Sequence, residues 1–148
     1  MKLHYRGRNR KIKKAMNIAN EILNNPSFFE KISNHEEFDN TKPIDLNPSE
    51  ISSFLKNHPK KVYVKTYIGK LGVNAKTKRP TYFRLNRLEL RRPTAKIVRT
   101  MIHEYVHCID FSLKEYKFTH KDNNNDNGDE DNTAPWIIGK IAYEMASK

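Results

Sequence analysis

Residues 94–113 read Thr-Ala-Lys-Ile-Val-Arg-Thr-Met-Ile-His-Glu-Tyr-Val-His-Cys-Ile-Asp-Phe-Ser-Leu. Ile97, Val98, Met101, Ile102, Tyr105, Ile109 and Leu113 recur at helical steps, which predicts one helix capped by Thr94 and running to about Ser112. Thr100, His103, His107 and Asp110 gather on the other side of that helix. His103 and His107 then stand one turn apart, with Cβ atoms roughly 5–6 Å from each other. At that separation both imidazoles can reach one Zn²⁺, which binds nitrogen at about 2.0–2.1 Å. Glu104 lies about 100° round from His103, badly placed for an equal third ligand but within reach of a water on the metal. The pattern is H-E-x-x-H. Cys108 follows His107 but points away from it, and is expected to be a packed thiol.

Two histidines do not complete a catalytic zinc site, which takes three protein ligands and leaves a position open. His120 is the leading third ligand: it lies thirteen residues after His107, far enough for the chain to leave the helix and fold back. Asp110, Asp122 and Glu130 stand behind it as oxygen ligands. His4, His35 and His58 sit among charged or capping residues and read as surface histidines.

Upstream, Ile12, Ala15, Met16, Ala19, Ile22 and Leu23 give one buried stripe to a helix over residues 9–24. Its polar side and the arm before it carry Arg6, Arg8, Arg10 and Lys11. These four are the candidate phosphate contacts, set against the alternative of a frayed basic terminus. Ser27 can cap a short helix whose packing face is Phe28, Phe29 and Ile32. A polar loop over 34–47 then leads to a helix from Pro48 to Asn57, with Asn47 as cap and Glu50 in its first turn. From Lys61 to Ile68 the period changes to two: Val62, Val64, Thr66 and Ile68 alternate with polar or amphipathic residues, the pattern of a half-buried strand. Gly69 to Pro80 is a hairpin loop or crossing. A second strand from Thr81 carries Phe83 and Leu85 on one parity and must break near Asn86 and Arg87, because Leu88 and Leu90 fall on the other.

Downstream, residues 122–132 contain only Asp, Asn, Glu and one Gly. Their glycine and missing final Glu do not fit an EF-hand, so a solvated acidic loop is expected, with a different kind of Ca²⁺ site as the alternative. Thr133 caps a last helix over 133–147, in which Pro135 fits the first turn and Trp136, Ile137, Ile138, Ile141, Ala142 and Met145 form the apolar face.

The 148 residues suit one domain with one core. Residues 1–121 hold 26 Lys and Arg against 11 Asp and Glu, and residues 122–148 hold 2 against 6, so an excess of +15 precedes a tail of −4. Such a field attracts DNA, RNA or an acidic protein. With no long apolar stretch and a single cysteine, a cytoplasmic protein without membrane contact is expected.

The H-E-x-x-H helix, preceded by a strand and followed by a further histidine, resembles the zincin metallopeptidases over residues 81–145, and in its small size their SprT-like branch. The resemblance implies an α+β minimal zincin-like domain over 1–148, Zn²⁺ on His103, His107 and His120, Glu104 as general base and a protein or peptide substrate. Tyr116, Tyr143 and Lys117 are candidates to stabilise the oxyanion. Lys121 stands where SprT-like chains usually have glycine, and a cysteine-rich ribbon is missing, so a phage-type or toxin-like zincin fits almost as well. The competing expectation is a basic nucleic-acid-associated accessory protein with a structural or vestigial zinc site, and a protease acting on DNA-bound proteins would combine the two.

Overall fold

The computed structural model describes residues 1–120 and 131–148. The acidic stretch, with Asp122 and Glu130, lies outside the described residues except for Asp131 and Asn132. Among the described residues five α-helices surround a small mixed sheet, the expected α+β class. No helix there is long and apolar enough to cross a membrane.

Helix α1, Arg10–Leu23, buries the predicted stripe and is capped by Asn9, whose Oδ1 accepts from Lys11 N and Ile12 N at 2.9 and 3.1 Å. The chain before it is not frayed. Leu3–His4 forms strand β1, parallel to Val62–Tyr67, which is β3. The buried Asn20 of α1 accepts from Leu3 N at 2.9 Å and donates to Leu3 O at 3.0 Å, so a side-chain amide takes the place of a neighbouring strand. Two residues are too short for any periodicity to reveal them.

Helix α2, Pro26–Ser33, is capped by Asn25 and not by Ser27. Pro26 opens this helix, where its lack of an N–H costs nothing. Helix α3, Pro48–Asn57, has the expected cap, with Asn47 Oδ1 accepting from Glu50 N at 2.9 Å, and adds a reciprocal bond, Glu50 Oε1 accepting from Asn47 N at 3.4 Å. The loop before it contains strand β2, Thr41–Lys42, paired antiparallel with β6, Lys117–Phe118.

The larger sheet has the order β1-β3-β5-β4, where β4 is Ala75–Arg79 and β5 is Tyr82–Asn86. The two expected strands are parallel neighbours, and β4 returns antiparallel along the outer side of β5. A strand of Ala-Lys-Thr-Lys-Arg has no alternation to show, so the sequence reads as loop. Val62, Val64, Phe83 and Leu85 point inward, and complete burial of Phe83 and Leu85 contributes about 1.5–3 kcal/mol each. Ile68, expected on that face, lies beyond β3 and is exposed.

Asn86 explains the break in parity. Its Oδ1 accepts from Gly69 N and Leu88 N, and its Nδ2 donates to the carbonyls of Lys70 and Val73, both at 2.8 Å. One buried amide thereby ends β5 and fastens the crossing loop to it.

Helix α4, Thr94–Ser112, runs through the centre with residues 100–110 all buried. Pro93 occupies the cap position, and Thr94 is the first helical residue and makes no cap bond. Helix α5, Ala134–Ala146, lies along α4. Thr133 is its cap residue by position, yet its side chain makes no cap bond. Gly139 allows the close approach: a Cβ there would stand 3.2 Å from Arg99 O and 3.4 Å from His103 Cβ.

Candidate metal centre

Helix geometry alone brings His103 and His107 together, and their Nε2 atoms are 3.2 Å apart. The third histidine needs a built return. Asp110 Oδ1 accepts from Phe118 N at 2.9 Å, and Lys117 Nζ donates to the carbonyls of Asp110 and Leu113 at the end of α4. Asn40 Nδ2 holds Thr119 O at 3.0 Å. These bonds place the His120 ring 5.4 Å from that of His103 and 4.6 Å from that of His107. One ligand atom from each of the three lies within 4.8 Å of the others.

The donor set fits zinc. A tetrahedral ion at about 2.0–2.1 Å from two nitrogens holds them about 3.3 Å apart, close to the His103–His107 spacing. Burial, then the neighbouring imidazoles, hold His103 well below its ordinary pKa, and burial with His120 brings His107 to about 3. Both rings are therefore neutral at pH 7, the form that ligates metal. His103 also bonds the backbone of Pro135. Proline has no N–H, so the ring is the donor, and with Nε2 turned to His107 this leaves Nδ1 for Pro135. Trp136 forms the wall, its ring 4.5 Å from His103 and 6.0 Å from His120.

Glu104 is buried, with Oε1 4.0 Å from His103 Nε2. Its Oε2 accepts from the hydroxyl of Thr77 on β4. Burial raises its pKa to about 7, against the opposing effect of the Thr77 bond. A carboxylate in that range can take up and return a proton near neutral pH.

A cleft of about 440 Å³ opens over His103, Glu104 and His120, between the 72–75 segment at the start of β4 and the first half of α4. Arg92, Lys96 and Arg99 make its rim cationic, and Arg92 Nη1 donates to Thr100 Oγ1 at 2.8 Å. The helical steps of Lys96, Arg99 and His103 could have shown two of the three rim cations, which the sequence reading passed over. Thr77 and the role of Trp136 were not legible in the sequence, because neither lies in a pattern that points to the metal.

Other expectations move. Asp110 is occupied as the anchor of the returning chain and is not in the ligand group; burial raises its pKa, with Phe118 N–H and Lys117 opposing. Tyr116 packs on Phe54, Tyr143 lies under Arg99 and Lys117 closes the end of α4, so none of the three oxyanion candidates lines the cleft. His4, His35 and His58 are half-buried and outside the cluster; His35 stacks on Phe38 with centroids 4.6 Å apart and meets Asn132 Oδ1 at 2.7 Å. Cys108 is packed as expected, and burial pushes its thiol far above the ordinary range. Arg6, Arg8 and Arg10 are exposed and Lys11 half-buried, away from the residues that line the cleft.

Comparison with family models, with curated proteins and with solved structures finds no match to this chain.

Proposed function

We infer that this protein is a zinc-dependent peptidase of zincin type. The observation that carries the inference is the convergence of three histidine donors with a buried glutamate at the floor of an open cleft. His103, His107 and His120 would hold the ion. Zinc in such a site supplies a Lewis acid for the scissile carbonyl and lowers the pKa of a water.

The chain's own residues do the rest. Glu104 accepts the proton of the water as its oxygen attacks the carbonyl carbon, and returns that proton to the amide nitrogen as the C–N bond breaks. Thr77 holds Oε2, so the carboxylate keeps one orientation through both transfers. Trp136 packs against His103 and α4 buries His107, so the donors are held on one side while the cleft leaves the other side open to a substrate.

The nucleic-acid accessory reading with structural zinc calls for a site closed by four protein ligands. Among the described residues the group has three members beside a cleft, which favours the catalytic reading. The test is inhibition. Cleavage of a protein substrate should stop with a chelator and with a hydroxamate, and cleavage indifferent to both would refute the peptidase reading.

A further inference from the structure

The outward face of the larger sheet serves no part of the proposed chemistry. Its four strands together carry five Lys and Arg and no Asp or Glu. In register, Lys65 stands opposite Arg84, and Arg84 opposite Lys76, a row of three cations across three strands. Like charges directly opposite destabilise a sheet. Ordinarily an acidic residue would break such a row.

Tyrosines flank it instead. Tyr63 pairs with Tyr82 on one side of the row, and Tyr67 lies on the other, each two residues or about 7 Å along the strands. Lys65 Nζ lies 4.1 Å from the centre of the Tyr82 ring and Lys76 Nζ 4.2 Å from that of Tyr67. Arg84 approaches Tyr82 at 5.6 Å, and Arg6 extends the face by resting 5.0 Å from the Tyr63 ring. Rings hold these cations in place without neutralising them. Lys76, Lys78, Arg79, Tyr82 and Arg84 also line a hollow of about 290 Å³ on this side.

We propose that this face binds single-stranded nucleic acid, with phosphates along the Lys65–Arg84–Lys76 row and unpaired bases against the tyrosines. Charge complementarity selects a polyanion, and the alternation of aromatic and cationic rows selects one with exposed π-faces, which a duplex keeps stacked inside. A bound strand would also relieve the repulsion within the row. None of the residues that line the hollow on this face lines the metal cleft, and the binding proposed here does not depend on peptidase activity. It differs from a basic arm at Arg6, Arg8, Arg10 and Lys11, of which only Arg6 reaches the face.

Anisotropy with a labelled oligothymidine of about 20 nucleotides tests the proposal on the full chain. Binding should weaken steeply with salt, and the double variant Lys65→Gln/Arg84→Gln should make the log–log salt slope shallower by about 1.4, two contacts at about 0.7 each. Tyr82→Ala should weaken binding about tenfold while Tyr82→Phe retains it. A melting temperature no lower than that of wild type, with unchanged zinc content, would show that the variants fold. Absence of binding at low salt overturns the proposal. So does equal or tighter binding of a duplex of the same length, or displacement by polyglutamate as effective as by unlabelled strand. A loss confined to Arg8→Gln/Arg10→Gln/Lys11→Gln would place the strand on the arm and equally overturn it.

Discussion

The hydroxyl of Thr77, on the edge strand β4, donates to Oε2 of Glu104, on the central helix α4. The acid of the H-E-x-x-H motif is thus oriented from outside its own helix. Losing a hydrogen bond to a charged group amounts to about 10- to 100-fold in rate when it is needed at the transition state. Thr77→Val should therefore lower kcat by that factor at unchanged zinc content, and Thr77→Ser should restore it. Steady-state kinetics with metal analysis on the same samples checks this; a Val variant as fast as wild type would leave Thr77 with a packing role only.

Zinc binding by the three histidines can be measured without any substrate. Wild type should hold about one zinc per chain, and His120→Ala should weaken that binding far more than His58→Ala. His58 lies at the end of α3, outside the donor group, and serves as the matched control. Competition with a chromogenic chelator reads the difference. Equal affinities would remove His120 from the site.

His58 itself yields a prediction about pH. Burial, then Lys2 and Lys60, lower its pKa in the folded protein. Below about pH 6.5 the unfolded chain takes up a proton that the folded chain resists, so the unfolded state binds more protons and stability falls with acid. Above that pH the contribution is flat. Melting temperatures of zinc-loaded protein at pH 5.5 and 7.5 should differ less in His58→Gln than in wild type. Identical differences would contradict the assignment.

The legible parts of the fold were those with a repeat or a local chemical signature. The stripe from Ile12 to Leu23, the Asn47–Glu50 box and the two-residue alternation at Val62 and Val64 each declare themselves within a few positions. Strands β1, β2 and β6 are two residues long and exist only through partners distant in sequence, such as Asn20 for Leu3. Strand β4 is polar because one of its faces is the cationic outer surface, so burial wrote no pattern into it. At the site, His103, Glu104 and His107 share one helix and were visible together. His120 could be chosen by spacing alone, whereas Thr77 required the parallel pairing of β3 with β5 that carries β4 to the edge beside α4. Asp110 looked like a ligand because it shares the histidine face, and its true partner, Phe118 N–H, lies beyond the helix.

In the proposed mechanism Glu104 moves the proton while the three histidines alone would hold the metal. Glu104→Gln is close in shape and can still accept from Thr77 through its amide oxygen, so fold and zinc content should persist. Its cleavage of casein, or of basic DNA-binding proteins, should fall by at least about 10²- to 10⁴-fold relative to wild type at equal zinc loading, the usual contribution of general acid–base catalysis. A Glu104→Gln protein that keeps its zinc and cuts the same substrate as fast as wild type would contradict the mechanism.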